Sequence, residues 1–146
     1  CNANLKNTNN MPDIVVAAID YSGANEITFA RGPNAHAGRI ANDGEPGFTV
    51  PTTTLAEQVS KLPTDEYVLV CDIEGAELDL SQNEQTALSR AYLLILEMHP
   101  KIYPRKKLDY QQIKTNIENI GFVEIERSGA VACFASKKAL KDLKLD

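Results

Sequence analysis

Three short runs of consecutive apolar residues limit the folds that this chain can adopt. They cover residues 14–19 (IVVAAI), 67–71 (YVLVC) and 92–96 (YLLIL). A strand with one face in water alternates apolar and polar residues, whereas a strand covered on both faces does not. The three runs therefore predict strands that are buried on both faces of a sheet.

Helices are predicted between and after these strands, from capping residues and from apolar residues at helical spacing. In each case a polar side chain stands where it can accept a hydrogen bond from a free backbone N–H at the helix start. The capping signals are Thr54 with Glu57, Ser81 with Glu84, and Asp109. The predicted helices cover residues 55–62, 82–90 and 110–120.

The remaining segments complete the pattern of an α/β domain. Residues 26–30 alternate like a strand, and residues 31–47 are a long loop with several glycines and two prolines. Residues 122–126 and 131–135 flank a Ser-Gly turn and predict a C-terminal antiparallel hairpin. Helices that alternate with doubly buried strands imply a largely parallel sheet, and ligands of such sheets bind beyond the carboxyl ends of the strands.

Composition and charge argue against several classes of function. The net charge is −5, and lysine and arginine form no basic stripe, which argues against nucleic-acid binding. No apolar run approaches the roughly 20 residues that span a bilayer. Cys71 and Cys133 lie in strand-like runs and are interpreted as small buried apolar residues rather than a disulfide, which favours a reducing, cytoplasmic compartment.

Acidic and imidazole side chains follow the two later apolar runs. Asp72 and Glu74 follow the first of them, and Glu97 and His99 follow the second. Residues two apart in an extended chain point to the same side, so both pairs are expected at one edge of the sheet. Such a group costs free energy unless it is paired, hydrogen-bonded or bound to a cation. The structural alternative is that Asp72 caps a helix and that Glu97 and His99 pair with each other.

Three short motifs resemble those of the FkbM-type S-adenosylmethionine-dependent methyltransferase family in residue identity and spacing. They are VPTTTL at residues 50–55, DIEGAE at 72–77 and LEMHP at 96–100. Residues 4–7 and 14–19 also look like the family's second helix end and third strand, so the resemblance covers about residues 2–136. It implies the class I, Rossmann-like methyltransferase fold, a seven-stranded sheet with an antiparallel final strand.

On this family map, residues 1–146 are a single partial domain that holds strands three to seven. Strands one and two are expected before residue 1, with the glycine-rich cofactor loop and the ribose-binding acid, because no glycine of this chain lies in a G-x-G after a buried strand. The chain alone is therefore expected to bind S-adenosylmethionine weakly and to be inactive. A lipid-tethered start at Cys1 is the other interpretation of the first residue.

The resemblance also implies an activity, the transfer of a methyl group to a hydroxyl of a sugar, polyketide, glycan or similar acceptor. His99 would be the general base, and Asp72, near the sulfonium of the cofactor, would orient the acceptor. Glu74 and Glu97 would hold His99 or bind a divalent cation. The residues near the adenine would be Ala18, Ile19 and Asp20.

Two other functions stay open on the sequence alone. The first is a metal-dependent hydrolase whose ligands are Asp72, Glu74, Glu97 and His99. The second is a non-catalytic interaction domain, lipid-tethered or not. Because the outer edge of the strand at residues 67–71 is apolar, a homo-oligomer is a further expectation.

Overall fold

The computed structural model describes residues 13–30, 39–41, 44–73, 75–99 and 110–145. In these residues the chain forms an α/β fold with two mixed sheets of four strands each. The strands are β1 (Ala18–Ile19), β2 (Glu26–Ala30), β3 (Arg39–Ile40), β4 (Phe48–Thr53), β5 (Tyr67–Asp72), β6 (Ala91–Glu97), β7 (Phe122–Ser128) and β8 (Val131–Ser136). The helices are α1 (Leu55–Val59), α2 (Glu77–Asn83), α3 (Gln85–Leu88), α4 (Tyr110–Asn119) and α5 (Lys137–Leu143).

The larger sheet has the strand order β5-β6-β8-β7. β5 and β6 are parallel, and β8 is antiparallel to both β6 and β7. The predicted C-terminal hairpin is therefore confirmed. The expectation of a largely parallel sheet is wrong, because a two-residue turn joins β7 to β8 and so short a connection forces neighbouring strands to run antiparallel.

The smaller sheet has the order β1-β4-β2-β3 and contains two strands that were not predicted, β3 and β4. β4 lies between β1 and β2, and it is parallel to β1 and antiparallel to β2. Its sequence, FTVPTT, contains Pro51, a residue that ordinarily argues against a central strand because it lacks an N–H. The next residue, Thr52, donates its backbone N–H to Asn25 O at 3.0 Å, so the pairing resumes at once.

The hydrophobic core lies between the larger sheet and its helices. Helix α4 supplies Ile113 and Ile117, four residues apart on one face, and both are fully buried. They meet side chains from the sheet and from α3 that are no more than 1% exposed, namely Leu88, Leu94, Leu96 and Phe134. Burial of each large apolar side chain contributes about 1.5–3 kcal/mol, so this cluster fixes the positions of β5 and β6 relative to α4.

Two of the three apolar runs are less buried than predicted. In the first run only Ala18–Ile19 forms a strand, and Ile14, Val15 and Val16 are 64%, 55% and 72% exposed. In β5, Val68 and Val70 are 53% and 72% exposed, so one face of this strand is open in the described part of the chain. The prediction of full burial is wrong for both runs because the described residues place no element over these side chains.

Of the capping signals, one is confirmed and one is wrong. Thr54 Oγ1 accepts from Glu57 N at 3.2 Å and Glu57 Oε2 accepts from Thr54 N at 3.2 Å, which completes the capping box of α1. Ser81 instead lies inside α2, and both oxygens of the buried Glu84 carboxylate accept from Ala56 N at 3.2 Å. Glu84 thus caps α1 rather than its own helix. Asp109 lies outside the described residues.

None of the helices in the described segments combines the length and the apolar character that crossing a membrane requires.

Candidate functional site

The carboxyl ends of β5 and β6 bring three of the predicted site residues together. Asp72 and Glu97 are the last residues of these parallel strands and are direct partners in the register. His99 follows Glu97 by two residues, and Met98 N donates to Ala130 O at 3.1 Å, which continues the extended course past the strand end. One ligand atom from each of Asp72, Glu97 and His99 lies within 4.8 Å of the other two. The expected convergence at one sheet edge is confirmed for these three residues.

The imidazole of His99 is surrounded by carboxylates. Its Nε2 lies 3.6 Å from Asp72 Oδ1 and 3.8 Å from Glu97 Oε1, and its Nδ1 lies 3.1 Å from Glu77 Oε1. The His99 side chain is 17% exposed, whereas those of Asp72 and Glu97 are 57% and 46% exposed. One side of the ring therefore faces the interior, and the other faces two carboxylates that water can reach.

Glu77 is the member of this group that sequence reasoning missed. Its side chain is fully buried, and Oε1 accepts from Gly75 N at 2.9 Å as well as contacting His99. The other oxygen, Oε2, is buried and has no hydrogen-bond partner in the described part of the chain. Gly75 has a φ of 106°, a conformation that side chains with a Cβ rarely adopt, and this turn aims its N–H at the carboxylate.

The contact with Glu77 favours one tautomer of His99. An ionised carboxylate can only accept a hydrogen bond, so a neutral ring beside it carries its proton on Nδ1 and has its lone pair on Nε2. That lone pair is directed to the side of the ring where Asp72 and Glu97 lie. Electron-rich atoms that face one another in this way are stabilised when a proton or a cation comes between them. The arrangement is suited to accept a proton or to bind a metal ion.

The other predicted site residues lie elsewhere or outside the described residues. Glu74 is among the latter. Ala18 and Ile19 belong to the smaller sheet, where they pair with Thr52 and Thr53 of β4. Asp20 follows them, and its carboxylate accepts from Ser22 N at 3.0 Å within a local turn. Ala18 and Ile19 thus belong to a different sheet from Asp72, and Asp20 directly follows β1.

Cys71 is not part of the chemistry of this edge. It is buried and carries a free thiol, as the sequence predicts for a small apolar residue. Burial, reinforced by the negative charges of Glu77 and Asp72, raises the pKa of this thiol to about 12. A protonated thiol is a poor nucleophile, so Cys71 has a packing role.

When the chain was compared with models of protein families, with curated proteins and with solved structures, no match was found. The proposal for its function therefore rests on the motifs in its sequence and on the geometry at the ends of β5 and β6.

Proposed function

We propose that this chain carries the acceptor-activating site of an FkbM-type O-methyltransferase that acts on a hydroxyl of a sugar, polyketide or similar small molecule. The observation that carries the proposal is the position of His99, whose ring is held by Glu77 with Nε2 turned towards Asp72 and Glu97. An alcohol is a weak nucleophile at neutral pH and needs a base within reach of its proton. An imidazole that carries its proton on Nδ1 and can accept a proton at Nε2 is suited to that role.

The larger sheet supports the class I methyltransferase map, whereas β1, the proposed strand three, lies in the smaller sheet. β5 and β6 would be strands four and five, and β7 and β8 would be strands six and seven. β8, the last strand of the chain, is antiparallel to its neighbours, as the family's final strand is. The site then lies beyond the carboxyl ends of parallel strands, where ligands of α/β sheets bind.

The roles of the residues follow from their positions. His99 Nε2 takes the proton of the acceptor hydroxyl, and Asp72, more than half exposed at the end of β5, hydrogen-bonds the acceptor and orients it. Glu97, its partner in the register, stabilises the imidazolium that results. Glu77 prevents the ring from turning its protonated Nδ1 towards the acceptor.

S-adenosylmethionine is the methyl donor that this proposal requires, but the residues present do not complete a site for it. Such a cofactor needs backbone donors from a glycine-rich turn and an acid for its ribose hydroxyls. No glycine of the chain stands in a G-x-G, and the Asp20 carboxylate is engaged by Ser22. We therefore propose that this chain alone binds the cofactor weakly. The proposal that Ala18, Ile19 and Asp20 lie near the adenine rests on the family resemblance alone.

The test is transfer of a labelled methyl group to a panel of sugar and polyketide hydroxyls by the protein as its gene encodes it. Either His99→Ala or Asp72→Ala should lower the rate by about 10²-fold or more, the usual effect of losing an acid–base group. Glu126→Gln, an exposed carboxylate on β7, is the matched control and should leave the rate unchanged. Near-normal rates in both site variants, or no methylated acceptor, would contradict the proposal.

A further inference from the structure

The three side chains at the ends of β5 and β6 lie slightly farther apart than the ligands of one metal ion. Two ligands that each lie about 2.1 Å from a metal ion, at octahedral or tetrahedral angles, are roughly 3.0–3.5 Å apart. His99 Nε2 is 3.6 Å from Asp72 Oδ1 and 3.8 Å from Glu97 Oε1. The two carboxylates are about half exposed and are free to close the remaining gap by small rotations.

A bound cation would also stabilise the negative charge at this edge of the sheet. Asp72, Glu97 and the buried Glu77 surround one imidazole, and in the described residues no lysine or arginine forms an ion pair with any of the three carboxylates. A buried carboxylate with an unpartnered oxygen, such as Glu77 Oε2, is costly unless positive charge lies nearby. A divalent ion on the far side of the His99 ring would supply that charge.

Glu77 provides a second, independent indication of a metal ion. Histidines that bind metals almost always donate their other ring N–H to a carboxylate, a carbonyl or water, which fixes the tautomer and makes the metal-binding nitrogen more basic. His99 Nδ1 has such a partner in Glu77 Oε1 at 3.1 Å, and Gly75 N holds the same oxygen at 2.9 Å. The ring is therefore already oriented for coordination through Nε2.

We propose that Asp72 Oδ1, Glu97 Oε1 and His99 Nε2 bind one divalent transition-metal ion and that Glu77 is the positioning residue of this centre. Two carboxylate oxygens and one imidazole nitrogen favour Mn²⁺, Fe²⁺, Co²⁺ or Zn²⁺ over Ca²⁺, which prefers oxygen ligands alone. With three protein ligands at a solvent-exposed edge, the ion keeps open positions for a water or a hydroxyl. A hydroxyl bound there would lose its proton more readily.

This centre does not depend on the methyltransferase proposal. The Nε2 lone pair can hold a proton or a metal ion but not both, so with the ion bound the acceptor hydroxyl is activated by the metal rather than by His99 acting as a base. Metal binding without methyl transfer would refute the proposed activity and would favour a metal-dependent hydrolase. Methyl transfer without metal binding would refute the metal centre alone.

Electron paramagnetic resonance with Mn²⁺ tests the proposal on the full 146-residue chain, after treatment with a chelator. We expect one bound Mn²⁺ per chain, with the hyperfine coupling of one directly bound imidazole nitrogen. Asp72→Asn and Glu97→Gln should each weaken Mn²⁺ binding at least about tenfold. Loss of a residue that only orients a metal ligand already costs about 10–100-fold in affinity, so loss of a ligand itself should cost no less. Glu126→Gln, a carboxylate on the exposed part of β7, should bind Mn²⁺ like the unchanged chain.

The Glu77→Gln variant separates a positioning role from a purely structural one. It should weaken Mn²⁺ binding by about 10–100-fold, the range for residues that hold a metal-binding histidine, and should retain the nitrogen coupling. If the Glu77→Gln variant does not fold, the two variants at half-exposed carboxylates, Asp72→Asn and Glu97→Gln, still decide the question. The proposal is overturned if the folded chain binds no stoichiometric Mn²⁺, if the nitrogen coupling is absent, or if Asp72→Asn and Glu97→Gln bind normally.

Discussion

β5 and β6 are neighbours with similar sequences, yet they differ in how they are covered. In β6, Leu94 and Leu96 are at most 1% exposed, whereas in β5 Val68 and Val70 are 53% and 72% exposed. The N-terminal run resembles β5, since Ile14, Val15 and Val16 are also exposed. A continuous apolar run thus shows that a strand can be buried on both faces. Whether both faces are buried depends on which other elements pack against them.

The polar ends of the same two strands show the opposite behaviour. Asp72 and Glu97 meet in direct register, and His99 is fixed from behind by the buried Glu77. Each of these contacts is made between the ends of the two strands and the first residue of α2, which follows β5. The described part of the site therefore forms from partners that lie close together, whereas no described element covers the apolar face of β5.

The largest stability effect should separate the two neighbouring strands directly. Leu94→Ala in β6 should lower the free energy of unfolding by about 2–5 kcal/mol, because it leaves a cavity in the core. Val70→Ala in β5, at an exposed position, should change it by no more than about 0.5 kcal/mol. Urea unfolding of the two variants measures both values. Equal losses would show that the outer face of β5 is covered in solution.

A smaller effect is expected on self-association. Exposed apolar strands invite pairing, so we expect the isolated chain to associate through the outer face of β5. Val70→Lys should weaken this association by about tenfold or more, since burial of one such side chain contributes roughly 1.5–3 kcal/mol. Sedimentation velocity at several concentrations gives the comparison. Glu126→Lys, which changes charge on exposed β7, is the control, and equal association of all three proteins would rule this face out.

The smallest effect concerns acid stability at a site remote from both regions. Lys114 Nζ donates a hydrogen bond to Glu124 Oε2 at 2.6 Å, and this contact lowers the pKa of Glu124. A carboxyl whose pKa is lowered on folding contributes stability above its unfolded pKa and loses it as the pH falls through its folded pKa. Glu124→Gln should therefore remove less than about 1 kcal/mol at neutral pH and nothing at low pH.

Urea midpoints measured between neutral pH and pH 2 check this expectation. The curves of the two proteins should converge as the pH falls below about 4.3, the ordinary value for glutamate. A constant difference across the range would mean that Glu124 contributes through packing rather than charge.

The fold could be predicted where its signals are local. The capping box of Thr54 and Glu57, the apolar face of α4 and the C-terminal hairpin each lie within a few residues. The function of Glu84 could not be predicted, because its partner, Ala56 N, is 28 residues away in sequence. β4 was missed because it contains Pro51, and proline has no N–H to donate to a neighbouring strand.

The candidate site could be predicted in part for the same reason. A spacing of two residues and the parallel pairing of β5 with β6 are enough to bring Asp72, Glu97 and His99 together. The contribution of Glu77 depends on the positive φ of Gly75, which folds the chain back so that a helix residue reaches the ring from behind. The glycine two residues before Glu77 was the available signal, and its three-dimensional consequence could not be derived from spacing.

The most direct test of this account is the tautomer of His99, read from the ¹⁵N shifts of its ring in the chelator-treated chain at pH 8. A His36→Gln background leaves one histidine, so the assignment is unambiguous. We expect the neutral ring to carry its proton on Nδ1 and not on Nε2, with loss of this preference in Glu77→Gln. A neutral ring that carries its proton on Nε2 in the unchanged chain would contradict this, because neither a proton acceptor nor a metal ligand would then face Asp72 and Glu97.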